Sequence, residues 1–399
     1  MSSKILSERV QRIKPSPTLA ITARAKQLKQ EGVDIIGLGA GEPDFDTPDF
    51  IKKAAIEAIN QGQTKYTAVD GTVELKTAIQ NRYKEIGLNY DLDQILVSCG
   101  GKQGIYNFAM SILEQGDEVI IPAPYWVSYP DIVKICDAKP VFIETTEEQK
   151  YKISKEQLEK SITPNTKLFI LNSPSNPSGQ VYSKSELEGF AEVLRKHPHV
   201  FILTDDIYEQ INLSGEKWHN IVMACPDLID RTIVLSGVSK AYSMTGWRIG
   251  YSLGPVEIIK AMKKLQSQST SNPCSISQAA AHAALIGDQN CVTKMTEEFK
   301  KRHDFVVNKL NSISGISCLP SDGAFYSFFS IEGVLNQTDK FKDDLEFTEY
   351  LINEAKIALV PGSAFGTPNH LRLSFATSME NLEKALDRLE KAVISLLNN

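Results

Sequence analysis

Lys240 stands where an apolar run, residues 232–235, gives way to the small residues Ser236-Gly237-Val238-Ser239. A lysine acts as a nucleophilic amine only where the chain around it leaves room for a large electrophile, and Gly237 and Ser239 leave that room. Further along, Arg248 lies between Trp247 and Ile249. A buried cation beside a lysine depresses its pKa and can also hold a phosphate dianion. The bland alternative is a surface lysine that merely follows a strand. The whole pattern, Gly-x-Ser-Lys followed by Gly-Trp-Arg-Ile-Gly at 246–250, argues against it.

Other stretches have chemistry to offer. Thr204-Asp205-Asp206-Ile207-Tyr208-Glu209 closes the apolar run 200–203, and a carboxylate buried there is expensive without a cationic partner. A divalent metal is one candidate partner, but no further carboxylate or histidine cluster accompanies it. Val97-Ser98-Cys99-Gly100-Gly101-Lys102-Gln103 ends a strand and opens a helix over 105–113, so backbone N–H groups at Gly100 and Gly101 could approach a phosphate. Arg248 would be a second, bidentate ligand for it. Tyr125-Trp126 follows Pro122-Ala123-Pro124, and Asn176 lies in the double-proline loop 172–179. Arg372 sits in the alternating run 371–375, where its plainest reading is an edge-strand residue facing water. Gly37-Leu38-Gly39-Ala40-Gly41 suggests a dinucleotide fingerprint, but Glu42 occupies the third glycine position and no βαβ unit follows.

Positioning these residues calls for an α/β frame. Apolar runs at 94–98, 118–122, 140–144, 167–172, 200–205, 232–236 and 247–253 alternate with amphipathic stretches and predict buried strands of a mostly parallel sheet. The loaded residues fall just past these runs, where open α/β sheets bind ligands. After residue 286 the pattern changes to a charged helix over 289–310, a strand at 323–329 and a final helix entered through a capping box at Thr377–Glu380. That helix puts Leu382, Ala385, Leu386, Leu389, Val393 and Leu396 on one face. The segment to about residue 45 is expected to pack with this unit. The division is therefore 1–45 (N-terminal arm and part of a small domain), 46–285 (large domain) and 286–399 (small C-terminal domain).

At 399 residues and 42% hydrophobic content the chain can build sizeable cores. A net charge of −6, with no basic stripe, points away from nucleic acid. No apolar run approaches membrane-spanning length and residues 1–17 are polar, so a cytoplasmic protein without membrane contact is expected. Six scattered cysteines fit reduced core thiols better than a disulfide or metal framework. His197 and His199, in a proline-containing loop, are read as solvated rather than metal-binding.

Taken in order, the motifs over residues 13–389 resemble those of class I aminotransferases of the aspartate aminotransferase family, closest to the prokaryotic bifunctional aspartate/prephenate branch. The resemblance implies the fold-type I architecture of pyridoxal-phosphate enzymes: a large domain with a seven-stranded, mostly parallel sheet and a smaller α+β domain built from both chain ends. It implies pyridoxal 5′-phosphate as cofactor and no metal. Lys240 would hold the cofactor as a Schiff base and shuttle a proton. Asp205 would pair with the ring nitrogen and Tyr208 would donate to the phenolic oxygen. Trp126 would stack on the ring, while Gly100, Gly101, Lys102 and Arg248 hold the phosphate with Tyr66 of a neighbouring subunit. On the substrate side it implies Gly41, Trp126, Asn176 and Arg372, the last forking onto the α-carboxylate.

The implied reaction is transamination between L-aspartate and 2-oxoglutarate, and of prephenate to L-arogenate, by a homodimer with shared sites. One position departs from the animal and enteric enzymes, which have a substrate-reading arginine where this chain has Ser267. Lys14 matches the lysine that the bifunctional branch places near the distal carboxylate, and Lys102 is a second candidate. Competing readings are alanine or aromatic specificity, a C–S β-lyase or decarboxylase on the same fold, and a regulator that would need an added DNA-binding domain.

Overall fold

The computed structural model describes residues 5–15 and 17–398. A short strand, β1 (Ile36–Gly37), precedes seven strands that form one sheet: β2 (Ile95–Ser98), β3 (Glu118–Pro122), β4 (Lys139–Ile143), β5 (Thr166–Asn172), β6 (Phe201–Asp205), β7 (Thr232–Gly237) and β8 (Gly250–Leu253). Their order is β2-β8-β7-β6-β5-β3-β4, with β8 antiparallel to both neighbours and the other pairs parallel. Strands β2, β7 and β8 are buried along their whole length, which is why they read as continuous apolar runs rather than alternating ones.

The expected strand at 247–253 is shorter than its apolar pattern. Thr245–Trp247 forms a 3₁₀ turn and Arg248 closes it in the left-handed region at φ 56°, so pairing starts only at Gly250. The chain then builds β9 (Ser317–Cys318), β10 (Tyr326–Ser330), β11 (Ile357–Ala358), β12 (Val360–Pro361) and β13 (His370–Ser374). Strands β12-β13-β10-β9 form a second, antiparallel sheet, and β1 pairs in parallel with β11. The expected strand at 323–329 starts late, because Ala324 adopts φ 61° and breaks extended geometry before Tyr326.

The last helix, Met379–Leu397, buries the predicted face of Leu382, Ala385, Leu386, Leu389, Val393 and Leu396. Its cap is Ser378, which accepts from the Asn381 N–H, so the expected Thr377–Glu380 capping box is displaced by one residue. The helix packs over the second sheet's core with Phe299, Leu310, Phe325 and Phe347. In the large sheet, β3 and β4 wind one way and β5 to β7 the other. The crevice at this reversal, beyond the strands' carboxyl ends, is where ligands enter such sheets.

Candidate active site

A cavity of about 220 Å³ opens at that crevice and gathers residues from both sheets. Gly41, Gly101, Lys102, Trp126, Asn176, Asp205, Tyr208, Lys240, Arg248 and Arg372 all line it. Lys240 reaches in from the segment after β7, and its Nζ donates to the Gly41 carbonyl at 2.6 Å. Burial, with Arg248 and Arg372 nearby, drops this amine to about 8 against the opposing pull of Glu42. About a tenth of this amine is thus neutral and nucleophilic at pH 7, far more than for an ordinary lysine.

Asp205 ends β6 and accepts from the Tyr129 hydroxyl at 2.6 Å. Burial lifts its carboxyl to about 6 although Tyr129, the Ile207 N–H and Lys240 favour the anion. A carboxylate in that state favours any cation that enters the cavity. Its neighbour Asp206 points elsewhere, accepting from Thr204 and Asn220, so the acidic pair divides into one residue of the cavity and one of the frame.

Arg372 is the largest departure from the plainest sequence reading. It is 2% exposed and lies on β13, between β12 and β10, rather than on an exposed edge. Its guanidinium donates to Asn176 Oδ1 at 2.8 Å and to the Gly39 carbonyl at 2.7 Å, and lies 4.4 Å from the Tyr326 ring centre. Among the described residues no carboxylate is one of its hydrogen-bond partners, and its Nε has no partner. A buried, unneutralised guanidinium with a free donor is suited to an incoming carboxylate.

The other end of the cavity suits a phosphate. Gly100 turns at φ 85° into the helix Gly101–Ile112, whose N-terminal amides carry partial positive charge. A Cβ on Gly100 would lie 2.2 Å from Arg248 Nη2, so the absence of a side chain lets the loop and the guanidinium share one cradle. Lys102 lies 4.9 Å from the Trp126 ring centre, and burial, reinforced by Arg248, lowers its pKa. Trp126 rather than Tyr125 faces the cavity, because Tyr125 stacks on Phe142 outside it.

Two candidates lie apart from this cavity within the chain. Tyr66 is 92% exposed, and Lys14 is exposed and absent from the lining. Ser267 is exposed as well, with its hydroxyl turned back to the Lys264 carbonyl. Ser239, which the sequence pattern placed beside Lys240, lines the cavity too, and the structure also adds residues that were assigned no role from the motifs: Tyr326, Tyr129, Asn172, and Thr18, Leu19 and Thr22 of the helix Pro17–Gln30. Tyr129 comes three residues after Trp126 and opens the helix Tyr129–Ile135, but neither it nor the Pro17–Gln30 contribution had a motif to mark its place in the cavity. Among the described residues no group of three or more His, Cys, Asp or Glu could hold a metal, and no helix is long and apolar enough to cross a membrane. All six cysteines are free thiols.

The model of the family described as aminotransferase class I and II matches residues 33–389. The aspartate/prephenate aminotransferase of Nitrosomonas europaea is 58% identical, the match covering 96% of this chain and 98% of that one. The crystal structure of the Rhizobium meliloti aspartate aminotransferase superposes with a TM-score of 0.94 at 49% identity, covering 98% of this chain and 99% of that one. The Thermus thermophilus aspartate aminotransferase with maleate gives a TM-score of 0.91 at 40% identity, over 97% and 99% of the two chains.

Proposed function

The chain belongs to the class I and II aminotransferases, and from that premise we propose that it moves the amino group of L-aspartate to 2-oxoglutarate, giving oxaloacetate and L-glutamate, with prephenate as a further acceptor giving L-arogenate. The observation that carries this reading is the convergence of Lys240, Asp205 and the unneutralised Arg372 on one cavity. The Gly100–Arg248 cradle, the lifted Asp205 carboxyl and the lowered Lys240 amine fit pyridoxal 5′-phosphate, which when bound supplies an electron sink for the substrate's Cα electrons.

The roles of the chain's own residues follow. Arg248 and the amides at Gly100 and Gly101 bind the phosphate, with Lys102 adding charge. Trp126 covers one ring face, and Asp205, oriented by Tyr129, holds the ring-nitrogen proton. Arg372 and Asn176 would fix the substrate α-carboxylate and aim its Cα proton at Lys240 Nζ, which would remove it as general base from the donor and, as general acid, deliver a proton to the acceptor's Cα in the second half-reaction. Whenever this amine is free of the cofactor, the Gly41 carbonyl can accept from it. Tyr208 presents its hydroxyl to the phenolic oxygen.

The distal carboxylate needs its own cation. Lys102 offers one from the cavity wall. We propose Lys14 as a second, brought in by the segment that leads into the helix carrying Thr18 and Thr22. The same reading keeps the domain division at 1–45, 46–285 and 286–399, and makes the working unit a homodimer in the cytoplasm that acts on amino and 2-oxo acids. A panel of amino donors against 2-oxoglutarate, with prephenate as an alternative acceptor, tests it. Aspartate and prephenate should turn over fastest. Preference for alanine or aromatic donors would overturn the specificity, and release of ammonia without an acceptor would overturn transamination.

A further inference from the structure

Tyr326 belongs to no motif singled out from the sequence, yet its hydroxyl lies at the junction of the two sheets. It stands on β10 of the smaller sheet and meets the Tyr208 hydroxyl, from the turn after β6, at 2.8 Å. A Cβ on Gly41 would lie 2.8 Å from the same oxygen, so the glycine there leaves that oxygen its place. The Arg372 guanidinium covers the Tyr326 ring face at 4.4 Å. One side chain thus touches the phenol, the carboxylate-binding arginine and the segment whose carbonyl holds Lys240.

The Tyr208 hydroxyl has a single proton. Given to Tyr326, that proton cannot face the cavity; kept from Tyr326, it can. Among the described residues the Tyr326 hydroxyl has no other hydrogen-bond partner. A cation over a phenol ring stabilises its ionised form and makes the hydroxyl a stronger donor. Burial raises both phenols; against it Arg372 is the foremost influence lowering Tyr326, whereas Tyr208 is pushed further up by Tyr326. The stronger donor of the pair is therefore Tyr326.

We propose that Tyr326 is a positioning residue that donates its hydroxyl proton to Tyr208, so that Tyr208 keeps its own proton directed at the cofactor's phenolic oxygen. The proposal rests on the aminotransferase reading of the site.

The test uses holoenzyme and the pH midpoint of its visible absorption band in wild type, Tyr326→Phe, Tyr208→Phe and the double variant. Losing a donor to the phenolic oxygen leaves that oxygen more basic, so the midpoint rises in Tyr208→Phe. Tyr326→Phe removes the donor that polarises and orients the Tyr208 hydroxyl but leaves Tyr208 its own proton, so it should raise the midpoint part of the way toward the same value, and the double variant should match Tyr208→Phe alone. In Tyr326→Phe, kcat should fall about five- to tenfold while the donor KM stays nearly constant, because the ring still supports Arg372. Tyr326→Leu removes that support too and should raise KM. An unmoved midpoint in Tyr326→Phe, or shifts that add in the double variant, overturns the proposal. A wild-type protein that shows no visible band and no transamination instead overturns the aminotransferase reading, so the two failures are distinguishable.

Discussion

Asp205 carries a cost in the cofactor-free protein that its proposed role toward a bound ring nitrogen would offset. Its carboxyl sits at about 6 in the folded chain against an ordinary value of 3.8. Below about pH 4 folded and unfolded chains both hold the proton, and the residue costs nothing. As pH rises through 4 to 6 the unfolded carboxyl ionises first, so stability falls, and above about 6 the full cost stands, about 3 kcal/mol at 1.36 kcal/mol per pKa unit. Asp205→Asn cannot ionise. In cofactor-free protein it should therefore unfold at higher urea than wild type at pH 8, and at the same urea near pH 4. Its turnover should fall ~10²-fold or more, because a neutral partner no longer holds the ring-nitrogen proton. Equal urea midpoints at pH 8 would show that Asp205 bears no such burden, and retained turnover would remove it from the mechanism.

At the scale of elements, much of the frame was legible because buried strands and amphipathic helices write their period into the sequence. Each of the seven strands of the large sheet lies on a predicted apolar run, and Leu382 to Leu396 fall on the buried face as expected. Where the pattern misled, local backbone geometry was the cause. Arg248 at φ 56° cuts short an apolar run, and Ser378 rather than Thr377 satisfies the first free amides of the last helix. Contacts between distant elements left no periodic trace. Tyr129 against Asp205, Tyr326 against Tyr208, and the helix Pro17–Gln30 against the cavity arise only on folding. Lys14 shows the limit of a motif taken alone, since within the chain its exposed position lies outside the lining whereas Lys102 is inside. Lys102→Ala should lower kcat/KM about ten- to hundredfold for aspartate and prephenate, with a smaller change for alanine. A selective loss of the same kind in Lys14→Ala would mean that the N-terminal segment folds onto the cavity. An equal loss for all three substrates in Lys102→Ala would assign that lysine to the phosphate instead.

For the molecule as a whole, the surface outside the cavity bears on how the site is completed. Tyr66 is almost fully exposed, and Ile56, Ile59, Val73 and Ile286 are large apolar side chains that also face outward. The four apolar residues come from the helices Asp49–Asn60, Val73–Glu85 and Ser275–Ile286, the first two of which both pack against the third. Apolar side chains concentrated in this way mark an interaction surface. Two copies related by a two-fold axis would cover one another's patches and could carry each Tyr66 to the phosphate end of the partner's cavity. Subunit mixing tests this directly. A Lys240→Ala chain keeps Tyr66 and lacks the amine; a Tyr66→Ala chain keeps the amine and lacks the phenol. If Tyr66 serves the other subunit's site, each hybrid dimer contains one site with both groups intact. Random reassociation of equal amounts should then recover about a quarter of wild-type activity per site, since about half the dimers are hybrids and each has one good site of two. Light scattering on the same sample should give about twice the chain mass of 44.2 kDa. Activity no greater than the sum of the two separate variants would place Tyr66 in its own chain's site or in none, and would leave the exposed apolar side chains without the partner this arrangement gives them.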